Sequence, residues 1–594
     1  MRKLMSKFAD HIWSTICQQA QSKKVFSKTF TEQVSYVKLK QIIEKLSEFF
    51  QQNNSPKKIA IMSGNDQFVA QIVLACTCND ITYTVMDKEA KPHRVNALLS
   101  QFAPDITFID EEFTAEGIAG TIVNINPSPS STVLNKLLSK LYSNKVQDTY
   151  PGLLNQIKPS SPKSAGKCAA YILFTSGTTA APKGVVISNS ALMRHLSTIK
   201  GVFSYNSDSQ ILNSLNLSHA DGLVQGPVLV AYLGAGWSSI GQYKIAETER
   251  IFDIITAHQA SHFITVPIVL SLIDKLAKYD DAFCSTNFKT IVSTGGHLDK
   301  QTWINIERNF NTKVSNMYGL TETTTGGLFA GPDDNSRIPG TVGKPVDINV
   351  VIGPAPDQAL NDGDAGLLWL KGENLMQGYY NNHKATNAVM VNGWLNTGDI
   401  AQIENGLISI VGREKLLTNI GGYAVHPQEI NEVLLLDAGV TLAYTTTKSD
   451  PTYGDYLVSI VAANKGVDKP ALTTLCRNNL EPHKVPRYIY IEDTLPIGPS
   501  GKVIIDVAEK LIVQQDMQLE QNNTHVTLIN LAAKVFNIEA TQLSITSGVH
   551  NTPGWDSLGH LMLITEIEQY FSILLTPNQI MQIEKLTDFE ALVQ

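Results

Sequence analysis

IAIMSGNDQFVAQIVLACTCNDITYTVMD, residues 59–87, is the stretch whose reading decides the fold. It opens on a short apolar run, IAIMSG (59–64), and closes on another, ITYTVMD (81–87). Between them DQFVAQIVLACTC (66–78) spaces its apolar residues as a helix does. Strand, helix and strand in this order form a crossover unit, and successive units of this kind lie side by side in a parallel sheet. Working outward, PHRVNALLSQFA (92–103) reads as a second helix and ITFID (106–110) as a third strand. The expected class is α/β, an open doubly wound sheet with helices on both faces. Upstream, MRKLMSKFADHIWSTICQQA (1–20) sets Phe8, Ile12, Trp13 and Ile16 on one face of an amphipathic helix and lacks a signal-peptide apolar core. Downstream, IKPSSPKSAGK (157–167) reads as a loop and the Gly-punctuated segments from about 340 to 411 as a β-rich subdomain. The polar stretch QQDMQLEQNNT (514–524) reads as a linker before a last helical unit.

Composition narrows the classes of function. A chain of 594 residues fills about four units at roughly 150 residues each. With 43% hydrophobic and 17% charged residues it reads as globular, and no apolar run is long enough to span a bilayer. The net charge of −8, without a basic block, argues against a nucleic-acid partner. Cys17, Cys76, Cys78, Cys168, Cys284 and Cys476 are scattered, and the one close pair has a single residue between its members. Free thiols in a reducing cytoplasm fit that spacing better than a disulfide frame or a zinc site.

Chemistry enters at YILFTSGTTAAPKG (171–184). A strand-like run delivers Thr175, Ser176, Gly177, Thr178 and Thr179 into a loop closed by Lys183 and Gly184. Hydroxyls, open amide N–H groups and one cation are what a polyphosphate needs, and the spacing is not that of a Walker loop. Four further motifs follow in order: NMYGLTETT (316–324), NGWLNTGDI (392–400), VGREKLLTNIGGYAVHPQEI (411–430) and LPIGPSGKV (495–503).

Taken together over roughly residues 25–510, these motifs resemble the adenylate-forming superfamily of acyl-CoA synthetases, peptide-synthetase adenylation domains and luciferases. The resemblance implies a large domain over 1–411 and a mobile C-terminal ligase domain over 412–513. It implies that Thr175, Ser176, Gly177, Thr178, Thr179 and Lys183 hold the outer phosphates of ATP. Gly295 and Gly296 of STGGHL, with Tyr318, would form the adenine slot. Glu322, after Thr321, would bind Mg²⁺, a hard cation that takes carboxylate oxygen. Asp399, assisted by Arg413, would accept from the ribose hydroxyls. Lys502 would be the catalytic cation where the acid's carboxylate meets the α-phosphate, because charge builds there in the transition state. Lys415 would be the hinge of the small domain, and Gly422 would line the approach of a thiol.

Departures from the family pattern are Ala180 in the phosphate loop, Asn216 for a frequent Pro, Leu416 for a frequent acid and Ile505 for a frequent Arg. None is a group assigned to chemistry. In LNLSHADGL, His219 stands where acyl and aryl ligases often put a pocket-floor residue, and Asp221 lies close to the Asp that pairs with a substrate ammonium in amino-acid-activating relatives. The segment YAVHPQEI (423–430) resembles the acyl-ligase branch, which favours an acid without an α-amino group.

The C-terminus adds a second resemblance. HVTLINLAAKVFNI (525–538) offers Val526, Leu528, Leu531, Ala532, Val535 and Phe536 as one face, and after TPGWDSLGHL (552–561) come Leu558, Leu561, Ile564, Ile567 and Phe571. A helical unit over 525–594 with a DSL entry resembles an acyl or peptidyl carrier domain, a four-helix bundle in which the serine equivalent to Ser557 bears 4′-phosphopantetheine. A helix start suits a phosphodiester, although an ordinary helix capped by Asp556 would look alike. The joint expectation is a ligase that activates a carboxylic acid with ATP and passes it to its own carrier thiol. Its partners would be a phosphopantetheinyl transferase and a downstream acyl acceptor or synthase. The alternatives are a ligase using free CoA, an amino-acid-activating protein of peptide synthesis, and a non-catalytic nucleotide-binding scaffold.

Overall fold

The computed structural model describes residues 2–593 apart from 30–31, 88–89, 91, 111–120, 125–145, 148–153, 155–156, 164–168, 176–181, 241–249, 277–280, 415–417, 421–422, 451–453, 499–502, 572, 574 and 591. The strands of the 59–87 stretch, Lys58–Met62 and Thr82–Val85, are parallel neighbours joined by the helix Asp66–Cys78. That helix starts where Asn65 accepts the backbone N–H groups of Gln67 and Phe68. Both strands are almost wholly buried, as a sheet covered on two faces requires. Ile106–Ile109, Thr121–Asn124 and Val146–Gln147 extend this sheet on one side, all parallel. On the other side Ala169–Thr175 is parallel, Lys183–Ser188 turns back antiparallel, and Gly378–Tyr379 closes the edge.

A second sheet has a parallel centre of Val314–Tyr318, Thr290–Ser293, His262–Thr265, Gln210–Asn213, Gly236–Ser239 and Val25–Lys28, with antiparallel strands at both edges. One buried cluster, including Tyr171, Trp237 and Trp303, runs through both sheets and takes in Phe8, Ile12 and Ile16 of the N-terminal helix Arg2–Gln21. Thr175, Ser293 and Tyr318 are each the last residue of their strand, so residues of three motifs emerge at carboxyl ends, where open α/β sheets bind ligands. The β-rich expectation for 340–411 holds: Ile348–Ile352, Ala365–Gly372, Met390–Val391, Trp394–Glu404 and Leu407–Arg413 form an antiparallel sheet. Its last strand, Leu407–Arg413, runs across position 411.

Beyond lies a smaller α+β unit, the sheet Val440–Asp450, Gly454–Ala463 and Tyr488–Glu492 with helices Pro427–Leu435 and Lys469–Asn479. The stretch 514–524, expected as a linker, is helical, because Ile505–Phe536 is one helix of 32 residues. Its polar residues are mostly good helix formers without Gly or Pro, and Asp516 is tied to Lys448 and Tyr490. The same helix packs Ala508 and Ile512 on the three-stranded sheet and Leu528, Ala532 and Phe536 into a separate C-terminal core. That core is completed by Ser557–Phe571, Pro577–Gln582 and a short turn at Leu586–Phe589. The inward face of Ser557–Phe571 is Leu563, Ile564 and Ile567, whereas Leu561 and Val526, expected inside, are 56% and 57% exposed. At 100° per residue Leu561 stands about 100° round the helix from the centre of that face.

Cys76, Cys78 and Cys476 are buried free thiols, Cys17 is partly buried and Cys284 exposed, while Cys168 lies outside the described residues. Among the described residues no helix is long and apolar enough to cross a membrane.

Candidate active site

The phosphate-type loop hangs from a β-hairpin. Thr175 pairs with Lys183 across the strands Ala169–Thr175 and Lys183–Ser188, so the loop between them is closed at its base. Thr175 donates to the Lys183 carbonyl at 3.4 Å. Ser176, Gly177, Thr178 and Thr179, with Ala180, lie outside the described residues. The Lys183 ammonium stands 5.1 Å from the centre of the Tyr379 ring.

Glu322 sits half-buried in the short turn Thr321–Thr323, which follows the strand ending at Tyr318. Its Oε1 accepts the Tyr379 hydroxyl at 2.8 Å, and burial, with the charge of Glu322, pushes that phenol's pKa up, so it stays a neutral donor. Backbone around Glu322 is held hard. Thr324 has φ +71, a left-handed conformation costly for a β-branched residue. Its hydroxyl donates to the Asn374 carbonyl at 2.7 Å, and the Asn374 amide donates to the carbonyls of Thr323 and Gly326 at 3.1 and 2.7 Å.

Asp399 is the anionic centre. The turn before it is built by its own side chains, Asn396 Oδ1 accepting from Gly398 N–H and Thr397 Oγ1 from Asp399 N–H. Opposite Asp399 in the antiparallel register is Arg413, whose Nε donates to Asp399 Oδ1 at 2.8 Å. The Tyr318 hydroxyl donates to Oδ2 at 2.5 Å. With the carboxylate only 3% exposed, these two donors offset its desolvation. Burial first, then the charge of Asp399, raises the Tyr318 pKa well above the ordinary phenol value.

Gly295 and Gly296 leave the strand Thr290–Ser293 towards the same region, Gly295 with φ +74. A methyl group on Gly295 would meet Asp221 Oδ2 at 3.6 Å, so the carboxylate lines this turn. Asp221 Oδ1 accepts the Thr294 hydroxyl at 2.8 Å and the Gln225 amide at 2.9 Å. It lies in the first turn of the helix Ala220–Leu223 and is not its cap; His219 holds that position. Asn216 replaces the frequent Pro with a side-chain turn, its Oδ1 accepting from Ser218 N–H at 3.0 Å. Straight after Gly296, His297 Nε2 meets Glu432 Oε1 of the C-terminal unit at 3.0 Å.

A family model described as AMP-binding enzyme matches residues 15–380, well over half of the chain. The chain belongs to the AMP-binding enzyme family. A probable CoA ligase of Humulus lupulus is 30% identical over 342 residues, covering 56% of this chain and 64% of that protein. The chain covers 62–66% of the length of the first curated relatives it matches, under two thirds. Among solved structures, the o-succinylbenzoate CoA synthetase of Bacillus subtilis with its acyl-adenylate superposes with a TM-score of 0.70 at 21% identity, over 82% of this chain and 96% of that one. The same enzyme with ATP and a magnesium ion gives 0.69 at 20% identity, over 83% and 99%. At these identities the likeness establishes the fold, a large α/β domain followed by a smaller one.

Within this AMP-binding fold Tyr318, Asp399 and Arg413 are brought together, and Gly295 faces Asp221. Thr321 and Glu322 follow Tyr318 after Gly319 and Leu320. Lys415, Gly422 and Lys502 lie outside the described residues, as does Leu416. Sequence reasoning missed Tyr379 and Asn374, which sit in none of the motifs. The segment MQGYY (376–380), a Gly–Tyr pair inside the expected β-rich region, is the sequence hint for Tyr379. Among the described residues no group of three or more His, Cys, Asp or Glu could hold a metal alone. The donor set fits Mg²⁺ nonetheless, since that ion is bound by one or two carboxylates together with substrate phosphates, and Glu322 supplies one.

Proposed function

We propose that the protein activates a carboxylic acid with ATP as an acyl-adenylate, releases pyrophosphate, and transfers the acyl group to a thiol. The observation that supports this reading most directly is the buried Asp399 held by Tyr318 and Arg413 at the end of the second sheet, a site for a polar, hydroxyl-bearing nucleotide. In this reading the 176–179 segment and Lys183 take the outer phosphates, Gly295, Gly296 and Tyr318 the adenine, and Asp399 with Arg413 the ribose. Glu322 holds Mg²⁺, which when bound neutralises phosphate charge. Lys502 stabilises the charge that develops as carboxylate meets α-phosphate. Lys415 serves as the hinge and Gly422 lines the thiol's path. His219 and Asp221 face the acyl group, with an acid lacking an α-amino group preferred and an amino acid the alternative that Asp221 would favour.

The relatives are CoA ligases by name, which supports free CoA as the thiol. A second reading has its own support in the separate helical core beyond residue 525, where Ser557 opens a helix. There the acceptor is a 4′-phosphopantetheine arm on Ser557, attached by a transferase and unloaded by a downstream acyl acceptor. A panel of carboxylic and amino acids in ATP–pyrophosphate exchange tests the first half-reaction. Exchange is expected with at least one acid and should fall on the order of 10²-fold in Lys502→Ala, with ATP affinity little changed. A folded protein that exchanges with none of the acids refutes the ligase reading and leaves the nucleotide-binding scaffold.

A further inference from the structure

Tyr379 belongs to none of the motifs that point to nucleotide chemistry, yet it touches two residues assigned to it. Its hydroxyl donates to Glu322 Oε1 at 2.8 Å, and the Lys183 ammonium stands over its ring. The ring has little freedom to move away from either. Gly378–Tyr379 is laid antiparallel along Lys183–Ser188, with Tyr379 opposite Val185. Tyr379 N–H donates to Thr386 Oγ1 at 2.9 Å. Glu322 is bound to the same segment from the other end, its carbonyl accepting Met376 N–H at 2.8 Å. One edge strand therefore carries a phenol that meets a carboxylate with its hydroxyl and an ammonium with its face.

A single hydrogen bond decides how a glutamate presents itself. With Oε1 accepting the phenol, and no other partner of the carboxylate among the described residues, Oε2 is the oxygen left without a hydrogen bond and open to a cation. The aromatic face meanwhile offers the lysine a seat that does not neutralise it, so the charge remains available to an anion. A carboxylate in place of the ring would have quenched it.

We propose that Tyr379 is a positioning residue coupling the two charge-bearing arms of the site: its hydroxyl sets the orientation in which Glu322 receives a divalent cation, and its ring holds Lys183 at the base of the hairpin where it pairs with Thr175. This rests on the reading of Glu322 and Lys183 as Mg²⁺–ATP ligands, and the test separates the two. Tyr379→Phe deletes only the hydroxyl, and Tyr379→Leu deletes the ring as well. Calorimetric titration of each full-length variant with ATP in EDTA, and then across a Mg²⁺ series, reads binding without turnover.

For Tyr379→Phe the Mg²⁺ concentration at half-effect should rise about 10- to 100-fold while metal-free ATP affinity stays within about twofold, the size expected of one hydrogen bond to a charged group. Tyr379→Leu should in addition weaken metal-free ATP binding, because Lys183 loses its support. A purely structural role would lower the melting temperature and weaken both kinds of binding alike, which counts against the proposal. So does an unchanged Mg²⁺ requirement in Tyr379→Phe when Glu322→Gln raises it. If Glu322→Gln also leaves the Mg²⁺ requirement unchanged, the assignment of Glu322 itself falls, and the proposal with it.

Discussion

Burying Asp399 to 3% exposure costs hydration that only its hydrogen-bond donors offset. Asp399 spends both oxygens on Tyr318 and Arg413, and a ribose would have to share or displace those bonds. Arg413 is half exposed, while Tyr318 stands partly buried at the end of a strand. Charge-assisted hydrogen bonds are worth about 1.5–3 kcal/mol, so Asp399→Asn should weaken ATP binding about 10- to 100-fold. The variant should keep its fold, since the amide fills the same space and can still accept the phenol. Titration calorimetry beside a thermal melt checks both halves; unchanged ATP affinity would remove Asp399 from the nucleotide site. Residues of this kind were legible because each motif brings its own short turn. Tyr379 and Asn374 were not, because their partners come from segments far away in sequence, and only tertiary pairing reveals them.

At the scale of elements, the strands and helices of the parallel sheets follow from apolar runs and spacing, and the 59–87 stretch folds as its pattern dictates. The helix Ile505–Phe536 is not legible at its middle, where a polar stretch reads as a linker although the absence of Gly and Pro lets the helix continue. The helix Pro427–Leu435 offers a testable contact, for it brings Glu432 against His297 beside the Gly295–Gly296 turn. Burial alone would lower the His297 pKa, but the hydrogen bond and charge of Glu432, with the charge of Asp299, outweigh it and raise the pKa above the ordinary 6.5. A raised pKa means that the ion pair contributes fully below the ordinary value and is lost as pH climbs through the raised one. Docking of the small domain on the large one should therefore loosen with rising pH above 6.5. Distance measurements between spin labels on the two domains should show that shift in the parent and a pH-independent distribution in His297→Ala. The same pH response in both would mean that another group governs docking.

For the whole molecule, the long helix makes the C-terminal core an extension of the small domain. At about 1.5 Å per residue its 32 residues run roughly 48 Å, rooted at one end by Ala508 and Ile512 and at the other by Leu528 and Phe536. Whatever turns the small domain would carry the unit bearing Ser557 with it, which restricts where that serine can go but keeps it tethered. Tethering raises effective concentration only when the geometry permits contact. Ser557 opens its helix next to Asp556, whose Oδ1 accepts Gly559 N–H at 2.9 Å, an arrangement shared by a carrier serine and a plain capped helix. Chemistry has to separate them. Treated with a phosphopantetheinyl transferase and CoA, then with ATP and an activating acid, the parent should gain first the mass of the arm and then that of the acyl group. Ser557→Ala should gain neither while exchanging pyrophosphate at the parent rate. If neither protein takes up the arm and both release acyl-CoA equally, the thiol is free CoA and the helical unit serves another purpose.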